Sequence, residues 1–567
     1  MARLKDFRGI EGTDFFEQDR GFQILLGDLL GEEDRSHVFS SLHECAQLVA
    51  GRWDEMAREA NRNENLPRIL KYDRAGNREE RVDFGPVARR LRREVAEFGV
   101  LSSARNELHR FAMIYYLGHN GEASLTCGTS CTDGLVRAVQ AKGDQSLKEY
   151  LPRLLSADTP MAGAQFVTEQ AGGSDVGAIE ARADLNEDGA WSITGEKWYC
   201  SNPDEYFLVA ARPDGGPAGT RGVAVFLVPR VLPDGRLNRI SFRRLKDKLG
   251  TRSLPTAEID FEGATGYAIG DTAEGFKTLM SYVINTSRVH NAVNACGFLH
   301  RAFLEARNYA RQREAFGGAL VGYPMIQETL VSLLEQLWRK RLLTFNLVAL
   351  IDRNGLAPEE QEQAMWQRFL INLAKYRTAF ELTDSVREAI IVFGANGVIE
   401  DFTVLPRLLR DALIIETWEG PHNTLCLQIV RDAARSSLLD RWQGEVRLAL
   451  ERWPEDFLSF TRGRFEGAIE ETTRILSREK ISDEGWASTH ARRLVDRLGG
   501  LLEIAWMSEM ALRYSGRDQT AALLTSAAGR SLLSGGEAFD HPLLEALAHH
   551  ALPLIDEQEV RADVERL

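Results

Sequence analysis

The feature that most constrains this chain is a change of hydrophobic period, from helical spacing to short strand-like runs and back. In HVFSSLHECAQLVAGRW and FGPVARRLRREVAEFGVL, apolar residues recur at the spacing of one buried helix face. Between them, KYDRAGNREERVDF places a turn signal, Asp-Arg-Ala-Gly-Asn, between short extended pieces. Then come MAGAQFV, AIEARADL, WSITG, YFLVAA, GVAVFLV, RISFRRL and TAEIDF, separated by clusters such as NEDG, RPDGGPAG and LPDGR. Short runs at that spacing predict a compact β domain. Helical periodicity returns after Glu274. Met325, Ile326, Leu330, Leu333, Leu334, Leu337 and Trp338 keep to one face, and Trp366, Phe369, Leu370, Leu373 and Phe380 repeat the pattern. These predict long bundle helices.

The expected fold is therefore α+β and mostly α. It comprises an N-terminal helical domain (1–159), a middle β domain (160–272), a four-helix bundle (273–435) and a C-terminal helical extension (436–567). In that extension AIEETTRIL and LLEIAWMSEMAL read as core-facing apolar stripes without convergent polar groups. A length of 567 residues is ample for several cores.

A formal charge of -14 argues against general affinity for phosphate backbones. The six cysteines are too scattered for a disulfide framework. Cys127 and Cys131 lack the second ligand pair of a zinc site, so no metal is expected. The N-terminus lacks the apolar stretch of a signal peptide, and no run reaches the ~18 apolar residues of a membrane span. A reducing, cytoplasmic setting is the expectation. No Gly-x-Gly-x-x-Gly follows a strand, and there is no Walker loop and no His-Glu-x-x-His.

The segment richest in chemistry is Gln165-Phe-Val-Thr-Glu-Gln-Ala-Gly-Gly-Ser-Asp-Val176. A strand ending at Val167 would open into a loop whose bare amides can meet a cofactor's phosphates or ring. A Gly-rich hairpin with an Asx turn accounts for that segment equally well. Further on, Gly195-Glu-Lys-Trp-Tyr-Cys-Ser-Asn202 reads as a strand. Its alternation would place Tyr199 and Ser201 on one side, a flat surface beside a hydroxyl. Taken alone, aromatics in a strand are usually core.

TEQAGGSD, GEKWYCSN, RQREAFG (read as helical) and ETWEGPHNT together resemble the acyl-CoA dehydrogenase family, in order and spacing, over residues 90–435. The resemblance implies FAD as cofactor, lying between the β domain and the bundle. It places the backbone of Val167 and Thr168 at the flavin ring, Ser174 at the pyrophosphate, and Tyr199 and Ser201 against the ring. Thr126 is a further hydroxyl, and Gly420 adjoins the site. Arg313 and Phe316 would reach a neighbouring subunit's FAD, as would the Gly394-Ala395-Asn396-Gly397 turn. Arginine suits that role because it is bidentate and permanently charged. A helix-surface ion pair with Glu314 or a neighbour is its structural alternative.

Glu419, in Trp-Glu-Gly-Pro, fits the family's catalytic base, which takes the α-proton of an acyl-CoA while flavin N5 receives the β-hydride. Glu416 lies one helical turn away and spacing does not separate the two. The resemblance favours Glu419 because it precedes Gly420. Arg288 matches an arginine near the base. An electron-transferring flavoprotein as acceptor, and a homodimer or homotetramer, are further implications. Pro421, Pro324 and Ile391 depart from the family's usual cofactor contacts.

RRLKDKLGTRS and NLPRILKYDRAGNREERVDFGP look particularly like the AidB branch, a DNA-binding flavoprotein of the alkylation-stress response. Residues 441–567 hold 16 Lys/Arg against 22 Asp/Glu, the wrong sign for a duplex-binding tail. An acyl-CoA-oxidising enzyme is therefore favoured and nucleic acid disfavoured. A flavin-binding protein without turnover is a third class. A nitroalkane-oxidase-like enzyme is a fourth, against which Glu419 speaks, since that branch has Asp at the base.

Overall fold

The computed structural model describes residues 7, 9–10, 13–514, 517–533, 542–558 and 560. They fall into two compact units, one of residues 52–290 and the other of residues 1–51 with 291–567.

The unit of residues 52–290 carries the strands. β1 (Arg68–Tyr72) and β2 (Arg78–Asp83) form the hairpin that the turn signal predicts. Asp73 Oδ1 accepts from the N–H groups of Ala75 and Asn77, at 2.8 and 2.9 Å, and closes that turn. The helices Pro86–Phe98, Glu107–Gly118 and Thr126–Lys142 follow.

Next come β3 (Gly163–Phe166), β4 (Arg182–Leu185), β5 (Trp191–Ser201), β6 (Tyr206–Pro213), β7 (Ala224–Pro229), β8 (Ile240–Leu245) and β9 (Thr256–Ala268). The sheet runs β3-β6-β4-β5-β9-β7, with β8 on β9, and pairing of β6 with β7 closes it on itself. Closure leaves only β3 and β8 of this sheet with a single partner strand. Alternate residues fill the interior: Phe166, Phe207, Phe226, Phe242, Ile259 and Phe261 are buried together.

The other unit is helical. Pro324–Asn354 and Gln361–Phe380 bury the predicted faces, including Leu330, Leu334, Leu337, Trp366 and Leu373. Met325 falls outside the expected core. It stands in the first turn after Pro324 and is exposed.

The extension departs further from its reading as apolar stripes. Glu503, in the helix Glu484–Tyr514, is fully buried and accepts from Arg339, Arg377 and Lys340. Polar groups therefore do converge there, tying the extension to two bundle helices. Burial pushes the Glu503 carboxyl up, and Arg377, Lys340 and Arg339 more than offset it, holding it well below the usual range.

Candidate functional site

Within residues 52–290, β3 ends at Phe166 and the chain enters the glycine-rich loop. A buried pair stakes its start: Lys197 Nζ donates to Glu169 Oε1 at 2.5 Å and to Val167 O at 3.0 Å. The same carboxylate accepts from the N–H groups of Glu180 and Ala181, beyond the loop. Thr168 O accepts from Trp198 N at 2.9 Å. The backbone at Val167 and Thr168 is thus fixed to β5.

Outward from these anchors the loop is open. Ser174 is exposed, and among the described residues the N–H groups of Gly173, Ser174 and Asp175 bond to nothing in the chain. Gly172 is required for space, since a Cβ there would lie 2.6 Å from Asp175 O.

Simple alternation does not hold through β5. Lys197 pairs with Ile259 and Cys200 with Ala257, so Trp198 and Tyr199 together oppose one residue of β9. This is a β-bulge. Lys197 and Cys200 are buried, whereas Tyr199 is 55% exposed. Lys246 Nζ lies 3.5 Å from the Trp198 ring centre and 4.7 Å from that of Tyr199. Ser201 Oγ is 3.0 Å from Thr256 Oγ1.

Thr126 opens its helix and is buried. Just before it Ala123 and Ser124 both hold left-handed φ, at 48° and 63°. Such strain persists only where surroundings over-determine it. Arg288 is buried in the helix Asn285–Gln312, behind a π-helical turn at Leu279–Ile284. Its neighbour Ser287 Oγ accepts from Gln165 Nε2 at 2.8 Å. His290 Nε2 lies 2.9 Å from Asp133 Oδ2. Burial pushes Asp133 up, but Arg137 and Arg110 more than reverse that, and the carboxylate stays ionised.

In the helical unit, the helix Leu405–Thr417 ends at Trp418, and Pro421 caps the helix His422–Arg435. Glu419 and Gly420 make the turn between them, at φ 56° and 104°. Glu419 is half-buried. Glu416 is occupied elsewhere: its carboxylate accepts from the Thr383 hydroxyl and meets His422 Nε2 at 3.3 Å. Burial raises its pKa, and these two partners more than reverse the rise. Lys375, absent from the sequence reading, donates to Glu416 O at 3.1 Å and to Gly420 O at 2.9 Å.

RQREAFG is not wholly helical. The helix stops at Gln312, and Glu314–Ala315 pairs with Gly318–Ala319 in a tight hairpin. Left-handed Phe316 and Gly317, at φ 53° and 95°, are incompatible with helix continuation. Phe316 is 97% exposed. Among the described residues the Arg313 guanidinium has no ion pair, so the expected alternative with Glu314 does not form. Gly394 turns the chain at φ 62°, Ala395 is exposed, and Asn396 Nδ2 donates to Tyr309 Oη at 3.0 Å.

Three family descriptions match in succession: the adaptive response protein AidB N-terminal domain at residues 8–159, the acyl-CoA dehydrogenase middle domain at 164–264, and the acyl-CoA dehydrogenase C-terminal domain at 273–434. The chain belongs to the acyl-CoA dehydrogenase family. It is 30% identical over 436 residues to acyl-CoA dehydrogenase family member 11 of Caenorhabditis elegans, covering 73% of this chain and 70% of that protein. It is 32% identical over 387 residues to the putative acyl-CoA dehydrogenase AidB of Escherichia coli, covering 65% and 69%. The crystal structure of Caenorhabditis elegans ACDH-11 in complex with C11-CoA superposes with a TM-score of 0.85 at 25% identity, over 97% of each chain.

As an acyl-CoA dehydrogenase the protein is an FAD-dependent oxidoreductase acting on acyl-CoA. Its residues fit the cofactor: unpaired amides and a hydroxyl at Gly173–Asp175 suit a pyrophosphate, and exposed Tyr199 suits a flat ring. Among the described residues no helix is long and apolar enough to cross a membrane.

Proposed function

We propose that the protein oxidises an acyl-CoA thioester to its trans-2-enoyl form, with Glu419 as the base that removes the α-proton. One observation carries this choice. Glu416, the neighbouring carboxylate, is tied to Thr383 and His422, while Glu419 immediately precedes Gly420, as the family's base does. Bound FAD supplies the acceptor for the β-hydride. Val167, Thr168, Ser174, Tyr199, Ser201 and Thr126 bind and orient the cofactor, with Gly420 beside it. Exclusion of water by the acyl chain strips the carboxylate of hydration and strengthens the base. Arg288 positions the base or the thioester.

Arg313, Phe316, Gly394 and Ala395 serve the FAD of a second copy, so the working form is a homodimer or homotetramer. The domains run 1–159, 160–272, 273–435 and 436–567. A cytoplasmic setting and an electron-transferring flavoprotein as acceptor complete the reading. Since ACDH-11 holds C11-CoA, a medium-length chain is the first substrate to try.

Purified yellow enzyme mixed anaerobically with a panel of acyl-CoAs should bleach, and Glu419→Gln should keep its FAD and bleach far more slowly. A Glu419→Gln variant bleaching at the full rate would remove Glu419 as the base. The AidB N-terminal match at 8–159 adds to the AidB resemblance, and the second reading kept beside the first is a flavoprotein that retains DNA. No bleaching with any acyl-CoA, together with tight retention of a duplex, would establish it instead.

A further inference from the structure

Lys375 has no place in a helix face read from its apolar pattern. It follows Leu373 and Ala374 in the helix Gln361–Phe380 and is 0% exposed. A buried ammonium loses its hydration and needs oxygen partners in return. It finds two of them on either side of Glu419: Glu416 O at 3.1 Å, where one helix is ending, and Gly420 O at 2.9 Å, just before the next. One rigid bundle helix thus holds both shoulders of the turn carrying Glu419.

That turn needs holding. Glu419 is a non-glycine residue at φ 56°, a conformation in which its Cβ crowds the following carbonyl. Gly420 follows at 104°, a value a side chain would resist. Left alone, the segment would relax toward ordinary φ values and swing the Glu419 side chain away. Carbonyls at the end of a helix are also unpaired by the helix itself, so a cation there is stabilising. The ammonium meets the electrostatic need of the helix end and the geometric need of the turn at once.

We infer that Lys375 is a positioning residue for the dehydrogenation: it fixes the backbone on both sides of Glu419 and so aims the carboxylate at the α-proton. The inference rests on the reading of Glu419 as base. Lys375 acts through the two carbonyls it binds. Its contribution is preorganisation, which matters because displacing a catalytic group by ~1 Å can cost ~10²-fold in rate.

Lys375→Met keeps the length and apolar stem and removes the donors. With a saturated C11 acyl-CoA, anaerobic flavin reduction in the FAD-loaded variant should slow by ~10²-fold while acyl-CoA affinity changes by less than ~3-fold. Hydrogen–deuterium exchange of the segment 418–420 should rise, a readout independent of turnover. A residue serving only to hold the fold would lower flavin content and thermal stability without this split between rate and affinity. Should Lys375→Met give no folded flavoprotein, Lys375→Gln, which keeps a neutral donor, is put through the same measurements. Reduction at the wild-type rate, or exchange at 418–420 unchanged, overturns the inference. The two claims separate cleanly: full-rate Glu419→Gln removes the base assignment, whereas slow Glu419→Gln beside full-rate Lys375→Met removes Lys375 alone.

Discussion

Lys197 and Glu169 form an ion pair, Nζ to Oε1 at 2.5 Å, with neither side chain reaching solvent. Glu169 begins the glycine-rich loop and also accepts from the amides at its far end, so the pair closes the loop at its base. The open amides of Gly173, Ser174 and Asp175 are thereby presented from a fixed frame.

Breaking one half of that pair leaves a charge buried without compensation. Lys197→Met should destabilise the protein by ~3–5 kcal/mol, and the double variant with Glu169→Leu should recover part of the loss. Urea unfolding of the three proteins checks this. A single variant as stable as the wild type would show that the carboxylate finds other partners.

Ser174 is expected to donate to a pyrophosphate oxygen. A hydrogen bond to a charged acceptor contributes ~1.5–3 kcal/mol. Ser174→Ala should therefore weaken FAD binding by ~10–100-fold, with the fold intact by circular dichroism. Flavin release on dilution measures it. Unchanged retention would move the pyrophosphate away from this loop.

Acid should loosen the extension from the bundle. Glu503 and Glu381 share Arg339, Lys340 and Arg377. Burial raises both carboxyls, and the three cations more than reverse it, taking Glu381 down to about 2 and Glu503 well below its usual range. Folded pKa values below the unfolded value of ~4.3 mean stability that is complete above that pH and lost as pH falls toward the folded pKa. Thermal unfolding should therefore fall steeply between pH ~4.5 and ~2. In Glu503→Gln the slope should be shallower and the neutral-pH protein already less stable. An equal acid slope in wild type and variant would assign the loss to other carboxylates.

The large features were legible because they depend on period. The β-domain segments all appear as strands near their expected places, and Leu330, Leu334 and Leu337 are buried as their spacing implies. What escaped was set by contacts distant in sequence. The bulge at Trp198–Tyr199 depends on β9, and a rule of alternation cannot see its partner. Lys375, Lys197 and Glu503 each interrupt an apolar pattern, and each is explained only by oxygens or cations far along the chain. The hairpin at Glu314–Ala319 replaced the end of an expected helix because Phe316 and Gly317 both turn left-handed. At the candidate site the motif resemblance favours Glu419 over Glu416. That Glu416 is engaged by Thr383 and His422 is visible only in the fold.

An aromatic ring 97% exposed at a hairpin tip, three residues after an arginine without an ion pair among the described residues, is poorly explained in an isolated chain. Ile391, Val398 and Met325 are also exposed, at 64%, 65% and 81%. Where exposed apolar groups gather into one patch they mark a surface meant for a partner, and a second copy is the partner proposed above. Phe316→Asp should lower the mass seen by light scattering toward that of one chain. Arg313→Ala should leave that mass unchanged and weaken FAD retention by ~10-fold or more, since a lost charge-assisted contact costs ~1.5–3 kcal/mol. The two variants separate assembly from cofactor binding. A wild-type protein running as a single chain, with FAD retained normally in Arg313→Ala, would leave the hairpin without a part in the cofactor site of another subunit.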